Sequence, residues 1–192
     1  MSLVVAKKCG ECVFMGADSL TSIGDYRKAS APVPEDRKIV QMPGGVLVGA
    51  TGNVRVLQVL TDNPGWFEIL GTDELEKRFL VQWIVPNLYQ ELKDRGFLEE
   101  ADTARMEASF LFAKGGRLFR MDPDFSVSTV TEFDAIGCGE DAAVAVYLQS
   151  GEEKPRELLL ECLRLAAGYD SSIGAPFFLI DTQTKTFSEV KV

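Results

Sequence analysis

MSLVVAKKCGECVFMGADS, residues 1–19, holds two apolar runs, one tight turn and a chemical group at either end. Residues 3–8 and 12–17 are rich in valine and large apolar side chains, which predicts two short strands joined at Gly10 as a hairpin buried on at least one face. Ser2 stands just ahead of the first strand, and Ala17-Asp18-Ser19 closes the second. Removal of Met1 would leave Ser2 as a free amino terminus carrying its own hydroxyl, so that one residue could supply both nucleophile and base. The sequence contains no histidine, which excludes the Ser/His/Asp and Cys/His arrangements outright.

Outward from that hairpin, residues 21–36 are polar and carry Gly24, Pro32 and Pro34, which predicts a long loop. Residues 37–42 and 46–50 flank Pro43-Gly44-Gly45 as a second hairpin. Thr51-Gly52-Asn53 ends it, and Asn53 is suited to cap a helix running to Leu60. A longer helix is expected from a Thr72 cap to Arg95, with a kink at Pro86. Residues 110–113 and 117–121 form a third hairpin about Lys114-Gly115-Gly116, and a further strand lies near residues 126–130. Residues 139–148 and 155–167 read as helices, and residues 176–190 as a closing hairpin. Segregated blocks of strands and helix pairs argue for an α+β fold, two antiparallel sheets packed together with helices outside, in a single domain over residues 1–192.

The chain has 192 residues, 46% apolar and 26% charged, with a formal net charge of -9. That charge repels a phosphate backbone or an anionic membrane, so no nucleic acid and no membrane is expected as partner. Residues 3–6 are too brief an apolar run for a signal peptide or a span, and a cytoplasmic location is expected by default. Cys9 and Cys12 form a C-x-x-C that reads as half a zinc site, as a redox pair, or simply as two small strand residues. Cys138 and Cys162 stand alone, and no metal or cofactor is expected.

A nucleophilic hydroxyl needs a base, a cation to tune that base and backbone donors for an oxyanion. Asp18, Lys38 and the Thr51-Gly52-Asn53 turn all fall at strand ends, where several strands can converge. At these residues the chain resembles the proteasome β-subunit and its bacterial relative, the peptidase of the HslUV complex. Ser2 falls where that family's mature chains carry their N-terminal threonine, Ala17-Asp18-Ser19 matches its strand-end aspartate, and Arg37-Lys38-Ile39 its catalytic lysine. Gly49-Ala50-Thr51-Gly52-Asn53 is similar to the strand end whose amide serves the oxyanion hole. Residues 135–140, Ala-Ile-Gly-Cys-Gly-Glu, resemble its Gly-Ser-Gly turn, and residues 169–174, Tyr-Asp-Ser-Ser-Ile-Gly, its late aspartate segment.

The resemblance runs in order from Ser2 to about Ile180. It implies the four-layer αββα sandwich of N-terminal nucleophile hydrolases, a peptidase acting on polypeptides inside a homo-oligomeric ring, and an ATPase unfoldase as partner. It assigns Ser2 as nucleophile, Lys38 and Asp18 as a charge pair beside it, Gly52 to the oxyanion, and Cys138 and Asp170 to orienting the terminal amine. Serine replaces threonine at the nucleophile, Cys138 replaces a serine, and Ile173 stands where the family often has a second one, leaving Asp170 to hold the amine there. Two other readings stay open at this stage: a non-catalytic structural subunit, and a small-molecule amidohydrolase on the same fold.

Overall fold

In a computed structural model, which describes residues 2–23, 26–29, 36–98, 104–151 and 154–191, the opening hairpin forms as the alternation requires. Strand β1 (Leu3–Cys9) pairs with β2 (Cys12–Ala17) through a two-residue turn at Gly10-Glu11. Leu3 and Val5 point to one face and Val4 and Ala6 to the other, and all four are fully buried. A strand apolar on both faces must be covered on both.

The polar stretch expected to be a loop instead begins with a two-stranded ribbon, β3 (Leu20–Ile23) and β4 (Tyr26–Ala29). Two of its four pairs, Thr21–Lys28 and Ser22–Arg27, join polar residues, so no continuous apolar run marks it; residues 24, 25 and 30–35 of the expected loop lie outside the described residues. Strands β5 (Ile39–Met42), β6 (Val46–Gly52), β7 (Ala108–Lys114), β8 (Arg117–Met121) and β9 (Val127–Thr129) form one antiparallel sheet in chain order. The other sheet runs β10-β1-β2-β11-β12, with β10 at Phe133–Gly137, β11 at Phe177–Asp181 and β12 at Ser188–Val190. Strand β10 is not among the strands expected from the sequence, because its five residues carry a charged Asp134 and end in glycine.

Helix α1 (Val54–Thr61) starts where expected, with the Asn53 side chain accepting from Arg55 N at 3.0 Å. A short α2 (Gly65–Glu68) follows. The long helix expected from Thr72 begins later, as α3 (Lys77–Phe79), a π-turn over Leu80–Ile84, and α4 (Val85–Asp94). Leu75, inside the expected helix, is fully buried ahead of the observed one, where the approaching chain packs it into the core against the second sheet. Pro86 lacks an N–H and its ring crowds the carbonyl one turn back; the π-turn just before it widens the backbone there. Helices α5 (Glu140–Gln149) and α6 (Pro155–Tyr169) complete the order.

Three buried clusters show the layering. Val4, Ala6, Val13, Met15, Ile39, Leu47 and Leu111 fill the space between the two sheets. Val48, Phe110, Phe112, Leu60, Ile84 and Leu88 lie between the second sheet and helices α1 to α4. Leu3, Val5, Leu159, Leu163 and Ala166 lie between the first sheet and α5 and α6. The protein is therefore a four-layer αββα sandwich, as the block order predicts. Arg120 of β8 ties the layers at one edge, bonding Asp122, Asp134 of β10 and Glu140 of α5 at 2.7, 3.1 and 2.9 Å. No described helix is long and apolar enough to cross a membrane.

Candidate active site

Ser2 precedes β1, Asp18 follows β2, Lys38 precedes β5, Gly52 ends β6 and Cys138 follows β10, so antiparallel pairing brings all five to one end of the sandwich. Asp170, the C-cap of α6, arrives there from the helix layer. Ser2, Asp18 and Lys38 are all buried.

Asp18 organises the centre. Its Oδ1 accepts from Lys38 Nζ at 2.6 Å and from Leu3 N at 2.9 Å. Its Oδ2 accepts from Leu20 N at 3.1 Å and Gly174 N at 3.4 Å. Lys38 Nζ donates a second bond, to Leu20 O at 2.6 Å. Burial pushes the Lys38 ammonium below its ordinary lysine value, and the Asp18 carboxylate opposes that shift. The cation is thus held through a carboxylate that also accepts the amide of the residue after Ser2, Leu3 N; the hydrogen bonds of the described residues include none from Lys38 to Ser2 Oγ.

Residue 2 is gripped from its other side by β10 and the turn after it. Cys138 N donates to Ser2 O at 3.0 Å, and Cys138 Sγ approaches the same oxygen at 3.4 Å. Gly137 makes this close approach possible. Its φ is 107°, and a Cβ there would lie 2.1 Å from Ser2 O and 3.0 Å from Thr51 Cγ2. That geometry also places the Thr51-Gly52 strand end against residue 2. Gly52 itself has a φ of 105°, and a Cβ would lie 2.2 Å from Glu107 O. No other residue type fits there without moving β7.

Sequence reasoning missed Ser172. Its Oγ donates to Asp170 Oδ1 at 2.6 Å and lies 3.5 Å from Cys138 Sγ, which links Asp170 to the residue-2 carbonyl through a serine and a thiol. Ile173, weighed as the position lacking a family serine, is instead buried in the helix-side core. Asp170 is therefore not the only polar side chain on that side of the site, since Ser172 stands between it and Cys138. The signal was present in the Asp170-Ser171-Ser172 run, where an aspartate that bonds the backbone N–H two residues on turns the second serine inward; Ser172 N donates to Asp170 Oδ1 at 2.8 Å. Those bonds hold the Asp170 carboxyl below the usual carboxylate range, while burial pushes the Cys138 thiol up. Among the described residues no group of three His, Cys, Asp or Glu side chains could hold a metal ion.

The arrangement is similar in fold to several solved structures. Thiobacillus denitrificans BPH superposes with a TM-score of 0.75 at 20% identity, over 94% of this chain and 97% of that one. HslV from Trypanosoma brucei gives 0.65 at 17% identity, over 93% and 98%. Anbu, an ancestral β-subunit from Yersinia bercovieri, gives 0.68 at 15% identity, over 97% and 86%. Neither a family model nor a curated protein sequence matches the chain. These likenesses establish the fold, that of the proteasome-type N-terminal nucleophile hydrolases.

Proposed function

We propose that this protein is a proteasome-type N-terminal nucleophile hydrolase that cleaves peptide bonds, with Ser2 as the nucleophile once Met1 is removed. One observation carries the reading: the buried Asp18 Oδ1 that accepts Lys38 Nζ also accepts Leu3 N, so a cation is built into the seat of residue 2. A buried lysine held against a carboxylate at a strand-end cleft is how a site tunes a neighbouring base.

In this mechanism the free amine of Ser2 takes the proton from its own Oγ, directly or through one water, as Oγ attacks the scissile carbonyl. The Lys38 charge disfavours a second positive charge nearby and so keeps that amine unprotonated and basic near neutral pH. The Gly52 amide receives the oxyanion. Collapse of the tetrahedral intermediate breaks the C–N bond, and the Ser2 ammonium returns its proton to the leaving amine. The resulting ester is hydrolysed by a water that the same amine deprotonates, which restores the hydroxyl. Cys138, Ser172 and Asp170 orient the amine, and no cofactor enters the cycle.

Polypeptide is the proposed substrate, and a homo-oligomeric ring enclosing the site is the proposed assembly. Large apolar side chains exposed on α5 and α6, namely Leu148, Leu165 and Tyr169, support self-association. An ATPase unfoldase feeding such a chamber, and a cytoplasmic location, complete the reading on the strength of the family resemblance. The BPH structure solved in complex with epoxomicin points to the probe. Intact mass of the native chain after treatment with a peptide epoxyketone is expected to show loss of Met1 and one adduct, mapped to Ser2. A chain that keeps Met1, or loses it and forms no adduct, overturns the peptidase reading.

A further inference from the structure

The C-x-x-C motif is not used by the proposed site, and the fold gives it a defined geometry. Cys9 and Cys12 are the pair that closes the β1–β2 hairpin, directly opposed across the two-residue turn. Opposed residues of an antiparallel ladder have Cα atoms about 4.5–5.5 Å apart and project to the same face. A disulfide requires about 4.4–6.8 Å. The register agrees with a common face: Lys7, which shares the Cys9 side of β1, bonds Tyr147 of α5, and Phe14, on the Cys12 side of β2, packs with the helix-side core.

The surroundings are fixed as well. Gly116 of the β7–β8 turn lies so close that a Cβ would sit 2.6 Å from Gly10 O, so the other sheet's turn braces the hairpin tip. Thr182 Oγ1 donates to Gly115 O at 2.7 Å and accepts from Val13 N at 3.0 Å, which holds the residue beside Cys12. Cys9 is half-buried and reachable, Cys12 is buried, and neither is in a disulfide; Cys12 Sγ donates to Asp181 Oδ1 at 4.0 Å and is approached by Thr182 Oγ1 at 3.8 Å, weak contacts that a disulfide would replace. Cys162, the other buried thiol, lies in the helix-side core and donates to Ala143 O.

We propose that Cys9 and Cys12 are a dithiol modification site that closes to an intrachain disulfide on exposure to a small-molecule disulfide such as glutathione disulfide. Cys9 thiolate attacks one sulfur of the reagent, forming a mixed disulfide and expelling one thiolate. Cys12 thiolate then attacks Cys9 Sγ and expels the second glutathione thiolate. The two cysteines lose two electrons and two protons, and the reagent is reduced to two thiols. Burial holds the Cys9 thiol above its ordinary value against the pull of Lys7, so the first step is slow at neutral pH. The hairpin tip lies about 23 Å along β1 from Ser2, at about 3.3 Å per residue. Disulfide formation and hydrolysis therefore succeed or fail separately.

The test treats the full native chain with excess glutathione disulfide, quenches by alkylation, and reads intact mass and a peptide map. The expected product has lost two hydrogens, with the bond mapped to Cys9–Cys12, and its formation rate rises steeply between about pH 7 and about pH 9. In Cys12→Ser the glutathione mixed disulfide is expected to accumulate at Cys9, and in Cys9→Ser Cys12 is expected to stay unmodified. Three results overturn the proposal in the native chain: both thiols still free at the end point, glutathione retained on Cys9 beside a free Cys12, or a bond mapped to Cys138 or Cys162.

Discussion

Asp18→Asn removes one negative charge from the centre of the site at almost constant shape. The Asp18 side chain is fully buried, and that of Lys38 is 9% exposed. In the variant the Lys38 ammonium keeps its desolvation and loses the carboxylate that opposes it, both as a charge and as an acceptor at 2.6 Å. Leaving one member of a buried pair uncompensated costs about 3–5 kcal/mol. A chain of this size loses about 2–4 °C of Tm per kcal/mol, so the melting point should fall by about 6–20 °C. The pH dependence gives the sign. A lysine whose folded pKa lies below its unfolded one binds fewer protons when folded, so stability rises with pH across the window between the two values. Asp18→Asn lowers the folded value further, so its deficit should be largest at neutral pH and shrink as pH approaches the ordinary lysine range. The double variant Asp18→Asn/Lys38→Met has no buried charge left and should recover most of the loss, retaining a remainder of about 1–3 kcal/mol from amide donors facing the new side-chain NH2. Thermal melts of the three proteins across that pH range check this. A double variant no more stable than the single, or a deficit that does not change with pH, refutes the buried-charge argument.

The alkaline limb of peptidase activity should fall below the ordinary lysine pKa, because Lys38 must be charged and burial lowers its value; a kcat/KM profile that stays flat to that value contradicts the role. Gly137→Ala places a Cβ 2.1 Å from Ser2 O and forces a shift of about 1 Å at residue 2, expected to cost about 100-fold in kcat/KM on a fluorogenic peptide; activity within a few-fold of the parent would argue against a tightly seated Ser2. Ser172→Ala removes the hydroxyl between Asp170 and Cys138 and should lower kcat about tenfold, the equivalent of about 1.4 kcal/mol, with a Tm change under about 4 °C; a large Tm loss with unchanged kcat would make Ser172 structural only.

What the sequence made legible follows from periodicity and turn chemistry. The β1–β2 hairpin, the Asn53 cap and the helix beginning near Gly139 are local decisions, each written in adjacent residues. The misread segments are those whose structure depends on remote partners. Strand β10 pairs with β1 from a distant part of the chain, Gly137 opposite Leu3 and Phe133 opposite Lys7, and only that pairing makes a strand of five mixed residues. The β3–β4 ribbon pairs polar residues at Thr21–Lys28 and Ser22–Arg27 and so carries no continuous apolar run, and the later start of the long helix reflects the burial of Leu75 by other elements.

The same division holds at the site. Asp18, Lys38 and Gly52 could be singled out because strand ends are visible in sequence and their residue types suit a charged, oxyanion-binding cleft. That Asp18 Oδ1 is shared by Lys38 and the Leu3 amide, that Gly137 must lack a Cβ to let Cys138 reach Ser2, and that Ser172 joins Asp170 to Cys138 were decided only by tertiary structure. Residue types and their order specify which strands and helices can form. Contacts of a few ångströms between residues far apart in the chain depend on sheet register and layer packing, and those emerge only when the whole chain has buried its apolar faces.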